Sequence, residues 1–269
     1  MMKLVAIARA PAHPEEAARA VADAAGFTLA EARMRLAPEP PALLARLELD
    51  KANALVAALR KAGLAALAVD TPCPTDKDRT LAHSVAIHDR GVTFTPRFGN
   101  SMEVAWPDVL AILRGLRKSR TEVERTEATT KLSPGTAILT GGLLLTESST
   151  KTVRSSEEAY EQVIIVYAGG GRAATLAETQ LDYSCLGADM QPSATGNMVE
   201  LARLLRQGAK RAFYDERLLR LGRRALPFLV GGESRSQTPT VTKTLTDTSG
   251  SLDTVAEVLR QALIAGLLP

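Results

Sequence analysis

The sequence predicts a mixed α+β protein. It reads as a small β-α-α-β-α-β unit, a larger antiparallel β-rich region with a closing helix, a linker and a C-terminal amphipathic helix. Three observations carry this. Glu161 to Tyr183, EQVIIVYAGGGRAATLAETQLDY, holds a short run of β-branched and aromatic residues, a glycine turn and a returning strand. The first 70 residues alternate strand-like runs with helix start and stop signals. Short strand-like stretches crowd residues 82–116, and a helical pattern follows at 196–207.

The hairpin is the clearest β signal. Val163-Ile164-Ile165-Val166-Tyr167 is too short for most helices and fits a strand buried on both faces. Ala168-Gly169-Gly170-Gly171 reaches positive φ easily, as a tight reversal requires. A phosphate-cradling loop would need a Lys-Ser/Thr pair or a helix opening after the last glycine. Arg172-Ala173-Ala174-Thr175 supplies neither.

At the N-terminal side, Leu4 to Ala8 is a strand candidate. Pro14 starts a helix, with Glu15 and Glu16 at the positive end of its dipole and Gly26 past its end. Thr28 and Glu31 form a capping box for a helix that stops before Pro38. Ala42 to Leu49 is a second strand. Asp50 caps a third helix, Lys51 to Ala62, closed by Gly63, and Leu64 to Val69 is the third strand.

These elements, with Gly26, Leu29-Ala30-Glu31-Ala32-Arg33 and Lys61-Ala62-Gly63, resemble the C-terminal domain of ribosomal protein L7/L12. The resemblance covers residues 1–70. It implies a small α/β domain whose first two helices recruit translational GTPases through basic residues. Arg19 and Arg33 match basic positions of that pattern, whereas Pro14 and Ala30 stand where the family has lysines.

Residues 71–78, TPCPTDKD, read as a linker. Residues 79–230 form the β-rich domain. Ala82 to His88, Gly91 to Pro96 and Met102 to Trp106 are strands, and Val109 to Leu116 continues the sheet after a Trp106-Pro107-Asp108-Val109 turn. Residues 121–158 read as an insertion around the apolar run 137–145. Gly196 to Gln207 closes the domain as a helix with a broad apolar face. The order of strands, turn and closing helix is similar to bacterial pleckstrin-homology-like domains. Ala212 to Leu226 is expected to be a further helix, basic on one side.

In residues 231–250, threonines fall on every second position from Thr238 to Thr248. This fits an edge strand with one hydroxyl face or a flexible low-complexity linker; the flanking Ser and Gly favour the linker. Residues 251–269 end the chain as an amphipathic helix, with Leu252, Val255, Leu259 and Leu263 on one face. That face is a candidate docking or homo-oligomerisation element.

Composition limits the function. The chain has 269 residues, 45% apolar, 23% charged and 4% aromatic, with a net charge of +3. This is a globular composition with an aliphatic core, and the charge is too small to argue for nucleic acid by itself. Cys73 and Cys185 are no disulfide framework, so a reducing, cytoplasmic setting is expected. The apolar run 137–145 is about half of the roughly 20 residues a membrane span requires, so no transmembrane segment is expected.

The chemistry points away from catalysis. Asp247-Thr248-Ser249-Gly250 matches an aspartic-protease signature, but a helix, not a strand-rich lobe, is expected after it. His13, His83 and His88 lack metal-site spacing, and His83 and His88 fall on opposite faces of a strand. Cys185 has no nearby histidine. No catalytic, cofactor or metal residue is assigned, and no cofactor is expected. Two basic clusters, Arg114, Arg117, Lys118 and Arg120, and Arg217, Arg220, Arg223 and Arg224, could meet anionic lipid or nucleic acid, but without interleaved aromatics. The sequence therefore implies a non-enzymatic adaptor that binds protein partners. An anionic-surface binder and a ribosome-associated protein are the alternatives.

Overall fold

A computed structural model describes residues 2–37, 39–132, 146–221, 232–238, 241–247 and 249–268. The expected mixed α+β class with an antiparallel-rich sheet and a C-terminal helix is found. The chain divides into two compact units, one of Met1–Arg117, Tyr160–Val230 and Thr248–Pro269, the other of Lys118–Ala159 and Gly231–Asp247.

The first unit begins with β1 (Met2–Ile7), α1 (Pro14–Ala25), α2 (Leu29–Leu36), β2 (Ala42–Glu48), α3 (Leu49–Lys61) and β3 (Ala66–Asp70). Pro14 occupies the first turn of α1, and Gly26 ends it at φ 69°. The capping box forms as expected: Thr28 N donates to Glu31 Oε2 at 2.8 Å and Glu31 N donates to Thr28 Oγ1 at 3.2 Å. One cap differs from expectation. α3 starts at Leu49 with Glu48 as N-cap, so Asp50 lies inside its first turn.

β1 is the middle strand of an antiparallel sheet in the order β2-β1-β3. Val5 and Ile7 face one core, with Val21 of α1 and Leu55 and Leu59 of α3. Leu4, Ala6 and Ala8 face another, with Leu43, Leu67 and Val69. Alternation to two buried faces is why these strands read as continuous apolar runs.

The same unit contains β4 (Thr80–His88), β5 (Gly91–Pro96), β6 (Met102–Ala105), the beginning of β7 (Val109–Leu132), the end of β8 (Thr146–Ala168), β9 (Ala173–Ala177), α4 (Ala194–Gly208) and β10 (Phe213–Leu218). β8 and β9 form the expected hairpin, with Val163 opposite Ala177 and Tyr167 opposite Ala173. Gly170 and Gly171 turn the chain at φ 70° and 76°. β8 also serves two cores. Ile164 and Val166 pack with Met198, Leu201 and Leu205 of α4. Val163, Ile165 and Tyr167 face the core that holds Leu4, Leu43 and Leu67.

That shared core is filled by α5 (Ser249–Ile264), whose Leu252, Val255, Ala256, Val258, Leu259 and Ala262 are all buried. α5 is thus a middle layer between two sheets. Each such Leu or Val contributes about 1.5–3 kcal/mol of burial, as an upper estimate. This overturns the expectation of a free docking face on Leu252, Val255, Leu259 and Leu263. The first three are 0–1% exposed and Leu263 packs against the same core. It also explains why the compact division does not fall at residues 71–78: residues 2–70 share their second core with the central strands.

A second correction concerns residues 212–226. Phe213–Leu218 is not helical; it is β10, which pairs in parallel with β7, Phe213 opposite Ala111 and Asp215 opposite Leu113. Residues 222–226 lie outside the described residues.

The second unit holds the remaining lengths of β7 and β8, with β11 (Gly232–Gln237) and β12 (Val241–Asp247). β11 and β12 are antiparallel, and β12 pairs with β7 from Asp247 opposite Ser119 to Val241 opposite Arg125. The favoured linker reading of 231–250 is therefore corrected: the alternating threonines of β12 mark a strand. Within the expected insertion 121–158, β7 runs to Leu132 and β8 starts at Thr146. The apolar run 137–145 lies outside the described residues.

Candidate docking cleft

The first unit carries a cleft of about 870 Å³ between β4, the β5–β6 turn and residues 179–182. Its shape starts with a register fault. Ala82 pairs with Pro96, and Ser84 pairs with Thr95, so His83 is the extra residue of a β-bulge. The bulge interrupts the alternation that placed His83 and His88 on opposite faces. His83 is then tied to the opposite wall twice. Its ring Nδ1 lies 2.8 Å from the Gln180 carbonyl, and its own carbonyl accepts from Asp182 N at 2.7 Å. A carbonyl can only accept, so Nδ1 is the donor of that bond.

The acids of this region are already engaged. Asp182 accepts from Ser184 N at 2.9 Å and from Ser184 Oγ at 3.1 Å. Glu161 accepts from Thr179 N at 3.2 Å, and Glu178 accepts from Gln162 N at 2.8 Å and Thr195 Oγ1 at 2.6 Å. Tyr183 donates to the Glu178 carbonyl at 2.9 Å. Burial first, and Glu178 second, pushes its phenol up to about 12.

At the mouth, residues 97–101 connect β5 to β6, and Gly99 takes φ 100° there, a conformation open to glycine. The turn holds up Phe98, a residue 86% exposed. Arg97 beside it is exposed and has no ion-pair partner among the described residues. Neither residue stood out in the sequence, although an aromatic inside a polar Gly-Asn turn was a readable signal.

Among the described residues, the cations of the basic clusters are each held by a carboxylate. Arg114 and Arg117 are buried, Arg114 on Glu216 at 2.6 Å and Gln162 at 3.1 Å, and Arg117 on Asp76 at 2.6 Å. Lys118 pairs with Glu158 at 2.7 Å. Arg217 pairs with Asp215 at 2.6 Å and donates to the Pro40 carbonyl at 3.1 Å, while Arg220 pairs with Glu39 at 2.6 Å. The Arg120 side chain, Arg223 and Arg224 lie outside the described residues.

The other sequence candidates have structural surroundings. Asp247 ends β12, and Ser249 and Gly250 open α5, so the expected helix follows the protease-like tetrapeptide. Burial pushes both thiols up; at Cys185, Asp182 adds to the effect. Neither is therefore an activated thiolate at neutral pH. Among the described residues, no group of three or more His, Cys, Asp or Glu could hold a metal, and no helix is long and apolar enough to cross a membrane. No family model, curated protein or solved structure matches the chain.

Proposed function

We propose that the chain is a non-enzymatic adaptor that captures a protein partner at the β5–β6 tip and its adjoining cleft. The observation that carries this is Phe98. A phenylalanine left 86% exposed at a cleft mouth loses about 1.5–3 kcal/mol of burial that a partner can supply. The cleft beside it offers apolar wall from Leu81, Pro96 and Leu181 and polar groups from His83 and Asn100. Aromatic residues are enriched at protein interfaces relative to the rest of the surface.

The anionic-surface alternative draws little support, because the described cations of both basic clusters are held by carboxylates. For residues 1–70, the β-α-α-β-α-β order supports the L7/L12-like reading. Arg33 is engaged by Glu15, which weakens a factor-recruiting role for α2.

The test is affinity capture from a lysate of the source organism with the full chain and a Phe98→Ser bait in parallel. Retention of a discrete protein by the wild-type bait and its loss on Phe98→Ser supports the reading. Identical retention by both removes the tip from the function.

A further inference from the structure

We infer that Arg172 guards the outer edge of β6 against pairing with a second copy of this chain. The inference does not depend on the docking reading above. β6 ends the nine-stranded sheet, so among the described strands it has a neighbour on one side only. Such an edge is a template for another strand. The register shows which groups face outward. Trp106 N donates to the Arg90 carbonyl at 3.0 Å, so these two residues form a hydrogen-bonded antiparallel pair. Bonded and non-bonded pairs alternate along the ladder. Glu103 and Ala105, opposite Thr93 and Gly91, therefore turn their backbone groups away from β5. Two copies of β6 laid antiparallel about a two-fold axis would set the Ala105 N–H of each against the Glu103 carbonyl of the other. That carbonyl is already taken. Arg172 Nη1 donates to it at 2.8 Å, while Arg172 Nε donates to the Gly169 carbonyl at 3.0 Å and so steadies the guanidinium from behind.

Two other outer strands carry the same device. Both β2 and β3 end the smaller sheet. Ala8 N donates to the Ala65 carbonyl at 2.9 Å, so Ala66, one residue on, faces away from β1. The Ala66 carbonyl accepts from Arg60 Nε at 2.8 Å. On β2, Leu44 is the extra residue of a bulge, and its carbonyl accepts from Arg35 Nη1. The three arginines stand in α2, in α3 and after the β8–β9 turn, so no single local motif produces the pattern. A charged side chain laid on an edge carbonyl both fills an acceptor and obstructs an incoming strand. A second copy is the strand excluded at β6, because the two-fold pairing is self-complementary.

The experiment is sedimentation velocity of the full chain over a wide concentration range, comparing wild type, Arg172→Ala and the double variant Arg172→Ala with Ala105→Pro. Ala105 has φ −70°, the angle that proline fixes, so the second change removes only an outward N–H. Arg172→Ala should dimerise, about ten-fold more tightly than any self-association of wild type, the effect of releasing one charge-assisted contact. Adding Ala105→Pro should return the wild-type profile. Circular dichroism and thermal melting verify the fold of each variant. Arg60→Ala repeats the test on β3 and decides it if Arg172→Ala does not fold; there too, self-association above that of wild type is expected. Folded variants that associate no more than wild type overturn the inference. Association of Arg172→Ala that survives Ala105→Pro also overturns it, because the contact then lies away from the β6 edge.

Discussion

Arg79 Nη1 donates to Asp253 Oδ1 across 2.5 Å, with the two side chains 1% and 5% exposed. The pair joins the start of β4 to α5. The guanidinium also donates to the Pro74 carbonyl at 3.0 Å and to Tyr167 Oη at 3.3 Å. Removing one member leaves the other charged and buried, a loss of about 3–5 kcal/mol. Asp253→Ala should lower the urea midpoint accordingly with little change in slope. Replacing both residues with apolar ones of similar volume, Arg79→Met with Asp253→Leu, should recover much of the loss.

The middle-layer position of α5 gives a second expectation. Leu259→Ala should cost about 2–5 kcal/mol, because its site is closed on all sides. Deleting residues 252–269 should give an unfolded or aggregating chain. A folded, monomeric truncation would show that α5 is not part of the core.

Gly208 sets a third. A Cβ there would lie 2.5 Å from Trp106 ring atoms, and that indole is fixed by donating to the His88 carbonyl at 3.0 Å. Helix propensity favours Ala over Gly by about 1 kcal/mol. The rigid ring outweighs it, so Gly208→Ala should destabilise by about 1–3 kcal/mol. Thermal melting decides the sign.

The thiols give a pH dependence. Burial raises Cys73 and Cys185 above the ordinary value of 9.0. The reactive thiolate is the form disfavoured, so its fraction grows only as pH rises through the raised value. Iodoacetamide labelling of the native protein should be slow at neutral pH and still accelerating above about pH 9. Fast labelling at pH 7 would contradict these surroundings.

Much of the fold was legible because local signals and tertiary packing agree. Thr28 and Glu31 specify a helix start within four residues of chain. The run from Val163 to Tyr167 is apolar on every residue because it feeds two cores. Where the reading failed, a distant partner decided the outcome. Phe213–Leu218 sits before arginines at helical spacing, but it becomes a strand by pairing with β7, about a hundred residues earlier. α5 looked amphipathic because Asp253 and Glu257 interrupt its apolar positions; their partners are Arg79, distant in sequence, and Arg260 one turn on. The basic clusters looked available because Asp76, Glu216 and Glu39 cannot be matched to them from sequence. Of the cleft, only the strands were readable. The His83 bulge depends on register, and the exposure of Phe98 depends on the turn that carries it.

The most direct measurement replaces Phe98 with a photo-crosslinking phenylalanine analogue and irradiates the full chain in lysate of the source organism. The analogue keeps the ring, so docking is preserved. A discrete crosslinked protein is expected, competed by excess wild-type chain but not by the Phe98→Ser variant. Absence of any discrete adduct, or an adduct that Phe98→Ser competes equally well, would contradict a docking role for the tip.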